Sequence, residues 1–157
     1  MLKKFVSSLL AVLLLAGCSA GSAKSEVVPA FSASETALEI VKDLELTESM
    51  EELKQKNVIR MIFQGAEDVV TDCSVYRSKN SGNSDTIGVF VTRDNEAVKE
   101  YLDTYLNDIK AQTETYYPEE VFKISNAVIE EKEGVVILVI AEDIEKAKRT
   151  ARIFANN

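Results

Sequence analysis

The chain has 157 residues, 46% of them hydrophobic and 28% charged, which suits one globular domain and neither a disordered nor a collagen-like chain. Its 18 basic and 26 acidic residues give a net charge of −8 and a pI near 4.7, which excludes the basic face that nucleic-acid binding needs. Histidine and tryptophan are absent, so the commonest general base, the commonest zinc ligand and one favoured stacking residue are missing.

At the N-terminus Lys3 and Lys4 precede an apolar run from Phe5 to Leu15, interrupted only by Ser7 and Ser8. As a helix this run covers about 16 Å, half of a ~30 Å hydrocarbon core, so it reads as the hydrophobic region of a signal peptide and not as a membrane span. Leu15-Ala16-Gly17-Cys18 follows and resembles the lipobox of bacterial lipoproteins. The resemblance implies that residues 1–17 are removed and that the Cys18 thiol carries a diacylglycerol thioether. Two acyl chains anchor a protein stably where one does not. Loss of residues 1–17 takes away two lysines and no acid, leaving 16 basic and 26 acidic residues and a net charge of −10. An anionic membrane surface repels such a domain, so covalent lipid on Cys18 is the expected membrane attachment. Residues 18–33 comprise this cysteine and a Ser- and Ala-rich stretch without sustained periodicity, read as a flexible tether of about 20 Å end to end.

Residues 34–157 are expected to form one α+β domain. Ala37, Ile40, Val41 and Leu44 follow the spacing of one helix face, and Ser32 with Glu35 can form a capping box at its start. A second helical stretch is predicted over Ser49–Gln64, divisible at Lys56-Asn57, with Gly65 as its stop. Val69–Arg77 and Thr86–Thr92 read as strands around a polar loop. In the second, Ile87, Val89 and Val91 point one way and Phe90 the other. Asp94 or Asn95 caps the longest helix, about Asn95–Tyr116, along which Val98, Tyr101, Leu102, Tyr105, Leu106 and Ile109 make an apolar stripe. Pro118 breaks it, and Glu119–Ile124 adds a further helical turn. Asn126–Lys132 and Val135–Ala141 form a second hairpin turned at Glu133-Gly134, and Asp143 caps a terminal helix.

The expected architecture is therefore N-terminal helices followed by two ββα units, with helices packed on one face of a four-stranded antiparallel sheet. The unbroken apolar run Val135–Ile140 suits a central strand covered on both faces; its other side needs cover from the N-terminal helices around Leu53–Phe63, or else it is exposed. Aligning Val89–Lys99 with Leu138–Lys148 matches Asp94 to Asp143, Glu96 to Glu145 and Lys99 to Lys148. Either a duplication or convergent capping accounts for the match.

The sequence offers little chemistry. Once Cys18 is lipidated, Cys73 is a lone strand thiol without histidine, and it reads as buried and inert. Acids cluster at Glu67-Asp68, Glu119-Glu120 and Glu130–Glu133, none with the spacing of a calcium loop, and a solvated face is the default reading. No catalytic residue, metal ligand or cofactor is assigned. Tyr101 and Tyr105 share a helix face and can line a groove. Any functional groove is expected where the N-terminal helices meet the sheet, rimmed by Tyr76 and Phe90.

The mature chain also resembles the uncharacterised lipoproteins of Gram-positive firmicute bacteria grouped as domain-of-unknown-function family 4358. Carrying this are the lipobox, Asp85 with Ile87–Phe90, Gln112, Tyr117-Pro118-Glu119-Glu120, Asn126-Ala127-Val128 and Gly134. Thr86 stands where that family often carries an acid, so a contact made by that acid is absent here. The resemblance implies an address on the outer face of the plasma membrane and no known activity. The leading expectation is a non-enzymatic module that binds an envelope protein, a peptide or wall polymer. The alternative is an envelope hydrolase, which needs two acids about 5–10 Å apart in a cleft, one of them desolvated.

Overall fold

The computed structural model describes residues 31–156; the expected signal peptide, the lipobox-like Leu15–Cys18 and most of the expected tether lie outside the described residues. The first helix, α1 (Ala33–Asp43), starts where Ser32 accepts a hydrogen bond from the Glu35 N–H at 3.2 Å. Ala33 is fully buried, and its N–H donates to Asp72 at 3.1 Å, so ordered packing begins just before the expected boundary at residue 34.

The stretch expected as one or two helices over Ser49–Gln64 is instead a strand and a helix. Met50–Glu52 form β1, and Gln55–Ile62 form α2. Met50 pairs with Ser78 and Glu52 with Tyr76, and the Leu53 N–H continues the ladder to Val75. The sheet consequently has five strands, not four: β1, β2 (Val70–Ser78), β3 (Thr86–Thr92), β4 (Val128–Lys132) and β5 (Val135–Ile140). Their order is β1-β2-β3-β5-β4, antiparallel throughout. The β4–β5 hairpin turns at Glu133 and Gly134, both at positive φ, in the tight form that two-residue hairpin loops favour.

The remaining elements are α3 (Asn95–Tyr116), a 3₁₀ turn (Pro118–Glu120), α4 (Val121–Ser125) and α5 (Ile144–Ala155). Asp94 caps α3 through the Ala97 N–H, and Asp143 caps α5 through the Lys146 N–H.

Helices cover both faces of the sheet and not the single face expected, because β3 and β5 carry apolar side chains on both sides. α1 and α5 pack on Ile87, Val89, Ile137 and Val139, while α2, α3 and α4 pack on Val75, Phe90, Val136, Leu138 and Ile140. The alternation read for Thr86–Thr92 and the two-sided cover read for Val135–Ile140 thus hold, since alternate residues of both strands enter opposite cores.

The distribution of helices also decides between duplication and convergence. The matched pairs Val89 and Leu138, and Val98 and Ala147, lie in opposite cores. A half-turn in the plane of the sheet superposes the two hairpins, yet it leaves α3 and α5 on different sides. The two ββα units have opposite hands, so the match around Asp94 and Asp143 is convergent capping.

Candidate functional site

The loop between β2 and β3 is rich in Asn and Ser, which bond their own backbone and fix turns. Ser78 accepts from the Asn80 N–H at 3.1 Å, Asn80 Oδ1 from the Gly82 N–H at 3.0 Å, and Asn83 Oδ1 from the Asp85 N–H at 2.8 Å. A lysine then fastens this loop to the segment after α3. Lys123 Nζ, with its side chain only 5% exposed, lies 3.0 Å from Asp85 Oδ1 and 2.6 Å from Glu120 Oε2, and it donates to Asn83 Oδ1 at 3.2 Å. Glu120 also accepts from the Ser84 N–H at 2.7 Å.

Burial pushes the Glu120 carboxyl up and the Lys123 ammonium down. The ion pairs and hydrogen bonds between them outweigh burial, so Glu120 titrates below its ordinary value and Lys123 above. Among the described residues no buried side-chain nitrogen or oxygen lacks a partner.

Beside this loop opens a cleft of about 500 Å³. Its apolar surfaces come from Leu53, Val75, Ile109 and Ile124. One wall is the β2–β3 loop; the other is the C-terminal half of α3, with Tyr105, Asp108, Gln112 and Thr113. Burial pushes the Tyr105 phenol up, with Arg77 and Thr86 acting in the opposite sense, which places all three groups together. Two cations stand at the rim, and both are engaged. Arg77 pairs with Glu51 at 3.2 Å, and Lys79 donates to the Glu48 carbonyl at 2.9 Å. At the end of α3 and just past it, Tyr116, Tyr117 and Phe122 are 75%, 39% and 65% exposed. The Tyr117 ring lies against Gly82, where an added Cβ would approach it to 3.0 Å.

The expected groove residues part company. Phe90 is fully buried, with its ring edge-on to Phe63 at 5.5 Å, and Tyr101 meets Phe63 at 5.7 Å from the other side. Tyr76 packs on the α1/α5 core and therefore faces away from Phe90. Tyr76 and Phe90 cannot rim one groove, and neither lines the cleft; of the four aromatics, only Tyr105 does. Cys73 is buried as expected, and burial pushes its thiol up to about 11.

Asp85 and Glu120 converge beside the cleft, but they meet on one ammonium and Glu120 titrates below its ordinary value, whereas the hydrolase reading needs a desolvated acid that keeps its proton. Among the described residues no group of three potential metal-binding side chains occurs, and no helix is long and apolar enough to cross a membrane. Lys123 was not legible as a site residue; the only signal was a lone lysine between Phe122 and Ile124, three residues after Glu120.

A family model described as a domain of unknown function (DUF4358) matches residues 42–141. No curated protein and no solved structure matches the chain. The match covers more than half of the sequence, and the chain belongs to that family. Asp85, Gln112, Tyr117 and Glu120, which carried the resemblance, all lie in or against the walls of the cleft.

Proposed function

We propose that this member of the DUF4358 family is a lipid-anchored binding module on the outer face of the plasma membrane, holding an envelope component in the cleft between the β2–β3 loop and α3. The observation that carries the reading is the prepared wall. A long polar loop, ordinarily mobile, is held by Lys123 and its own Asn turns before any ligand arrives, and such preorganisation lowers the entropy cost of binding. An apolar floor with a few convergent polar groups is the usual make-up of a ligand site.

The anchor is tested by Cys18→Ala, which is expected to move the chain out of the membrane fraction or leave it uncleaved. Unchanged retention with unchanged mass would overturn that part. For the cleft, a photo-crosslinking side chain at Gln112 in the lipidated protein on intact cells is expected to capture a discrete envelope component. The same group at Lys148, exposed on α5, serves as the control. Equal capture from both positions, or none from Gln112, would remove the cleft as the binding site.

A further inference from the structure

We infer that the cleft takes a neutral glycan segment, laid over the apolar floor and stacked at the mouth on the tyrosines that end α3. The inference rests on the cleft being a binding site and names the class of its ligand. Asn80, Ser81, Asn83, Gln112 and Thr113 supply side-chain amides and hydroxyls along both walls. The Asn80 and Asn83 oxygens are held by the loop and by Lys123, while their amide nitrogens donate to no acceptor among the described residues. Such groups match sugar hydroxyls, which both donate and accept.

Charge points to a neutral ligand. Arg77 is offset by Glu51, Lys79 donates to the Glu48 carbonyl and shares the cleft with Asp108, and Lys123 is enclosed by two carboxylates, so the charges around the cleft balance and favour no anionic group. A peptide is the poorer fit, because an extended peptide gains its affinity from an open strand edge. β2, the strand that lines the cleft, is hydrogen-bonded on both sides, to β1 and to β3.

Tyr116, Tyr117 and Phe122 expose aromatic surface within one short segment, and Tyr117 abuts the loop wall through Gly82. Exposed ring faces accept the C–H faces of pyranose rings much as they accept other apolar surfaces.

The test is calorimetric titration of the mature chain with a neutral hexamer of β-1,4-linked N-acetylglucosamine, and in parallel with an uncharged, end-capped hexapeptide. Saturable binding of the hexamer is expected, with little change between about 0.05 and 0.5 M salt because no ion pair forms. Gln112→Ala and Tyr116→Ala, both at exposed positions, are each expected to weaken it about tenfold at unchanged melting temperature, the scale of one lost polar or stacking contact. Absence of binding at millimolar hexamer, or binding indifferent to both variants, would overturn the inference. Peptide binding lost in Gln112→Ala would also overturn the glycan assignment while leaving the cleft a binding site. Failure of the cleft itself is read separately, by the Gln112 crosslinker capturing nothing.

Discussion

On one face of the sheet the helices meet the strands through Ala33, Ala37, Ala147, Ala151 and Ala155, whereas on the other they meet them through Phe63, Phe90 and Tyr101. α1 and α5 fill the rest of the first core with Ile40, Val41, Leu44, Ile144 and Phe154, and the cleft opens on the other face. The aromatic cluster plugs the opposite core at one place, and Gly88 leaves room for it, since a Cβ there would sit 2.8 Å from the Phe90 ring. α3 then outruns its support. Its 22 residues extend about 33 Å against roughly 24 Å for the seven residues of β3, and its fully buried residues, Val98 and Leu102, lie in its first half. The second half stands over the cleft, which the β2–β3 loop walls off. One sheet thus carries a closed structural face and an open one, and the difference arises from helix length.

The sharpest way to break the open face is through Lys123. Lys123→Met leaves Asp85 and Glu120 buried beside each other without their cation, and it is expected to cost about 3–5 kcal/mol in urea unfolding. Lys123→Met combined with Asp85→Asn and Glu120→Gln should recover much of that loss, because the uncompensated charges are gone. Acid should act in the same direction. Glu120 titrates below its ordinary value of 4.5, so the stability it contributes is present above 4.5 and lost as the pH falls through the lowered folded value. Glu120→Gln should flatten that part of the acid limb. A full loss in the triple variant would show that the loop depends on the ion pairs and hydrogen bonds of Lys123 themselves and not on the cancelling of two buried charges.

Adding bulk tests the closed face. Ala151→Leu forces three extra carbons between α5 and the strands, with an expected cost of about 1–3 kcal/mol. Thr113→Phe adds comparable bulk at the cleft wall, where there is room, and should change stability by about 0.5 kcal/mol or less. Similar costs at the two positions would erase the distinction between the faces.

Much of this architecture was legible because the strongest signals are local. Thr86–Thr92 and Asn95–Tyr116 fall where alternation and the Asp94 cap put them. β1 was not legible. Three residues carry no period, and Met50 and Leu53 fall at a spacing that continues a helical stripe. The groove was misplaced for a different reason. Whether Tyr76 shares a face with Phe90 depends on register, which an eight-residue loop does not fix. Tyr76 stands opposite Ile87, so the parity is the reverse of the one assumed. The cleft depends on Lys123 reaching Asp85 across 38 residues, a pairing that no local pattern encodes.

Cys73 tests how far the opening of the second face extends inward. It lies in the same core as the cleft but under α2, and burial, the largest influence, pushes its thiol from the ordinary 9.0 up to about 11. If opening stops at the cleft, native protein reacts with a thiol reagent only on the timescale of unfolding, and rapid labelling would show that the α2 side opens as well. Cys73→Ala is expected to cost about 1–2 kcal/mol at neutral pH through lost packing. The sign at alkaline pH follows from linkage. Between 9 and 11 the unfolded thiol ionises while the folded one keeps its proton, so wild-type stability falls as the pH rises. The alanine variant has no such group, and the stability gap between the two proteins should narrow from pH 9 upward. Other alkaline titrations are common to both and cancel in the difference. A gap that stays constant to pH 11 would mean that the thiol is solvated in the folded protein and that the open face reaches deeper than the cleft.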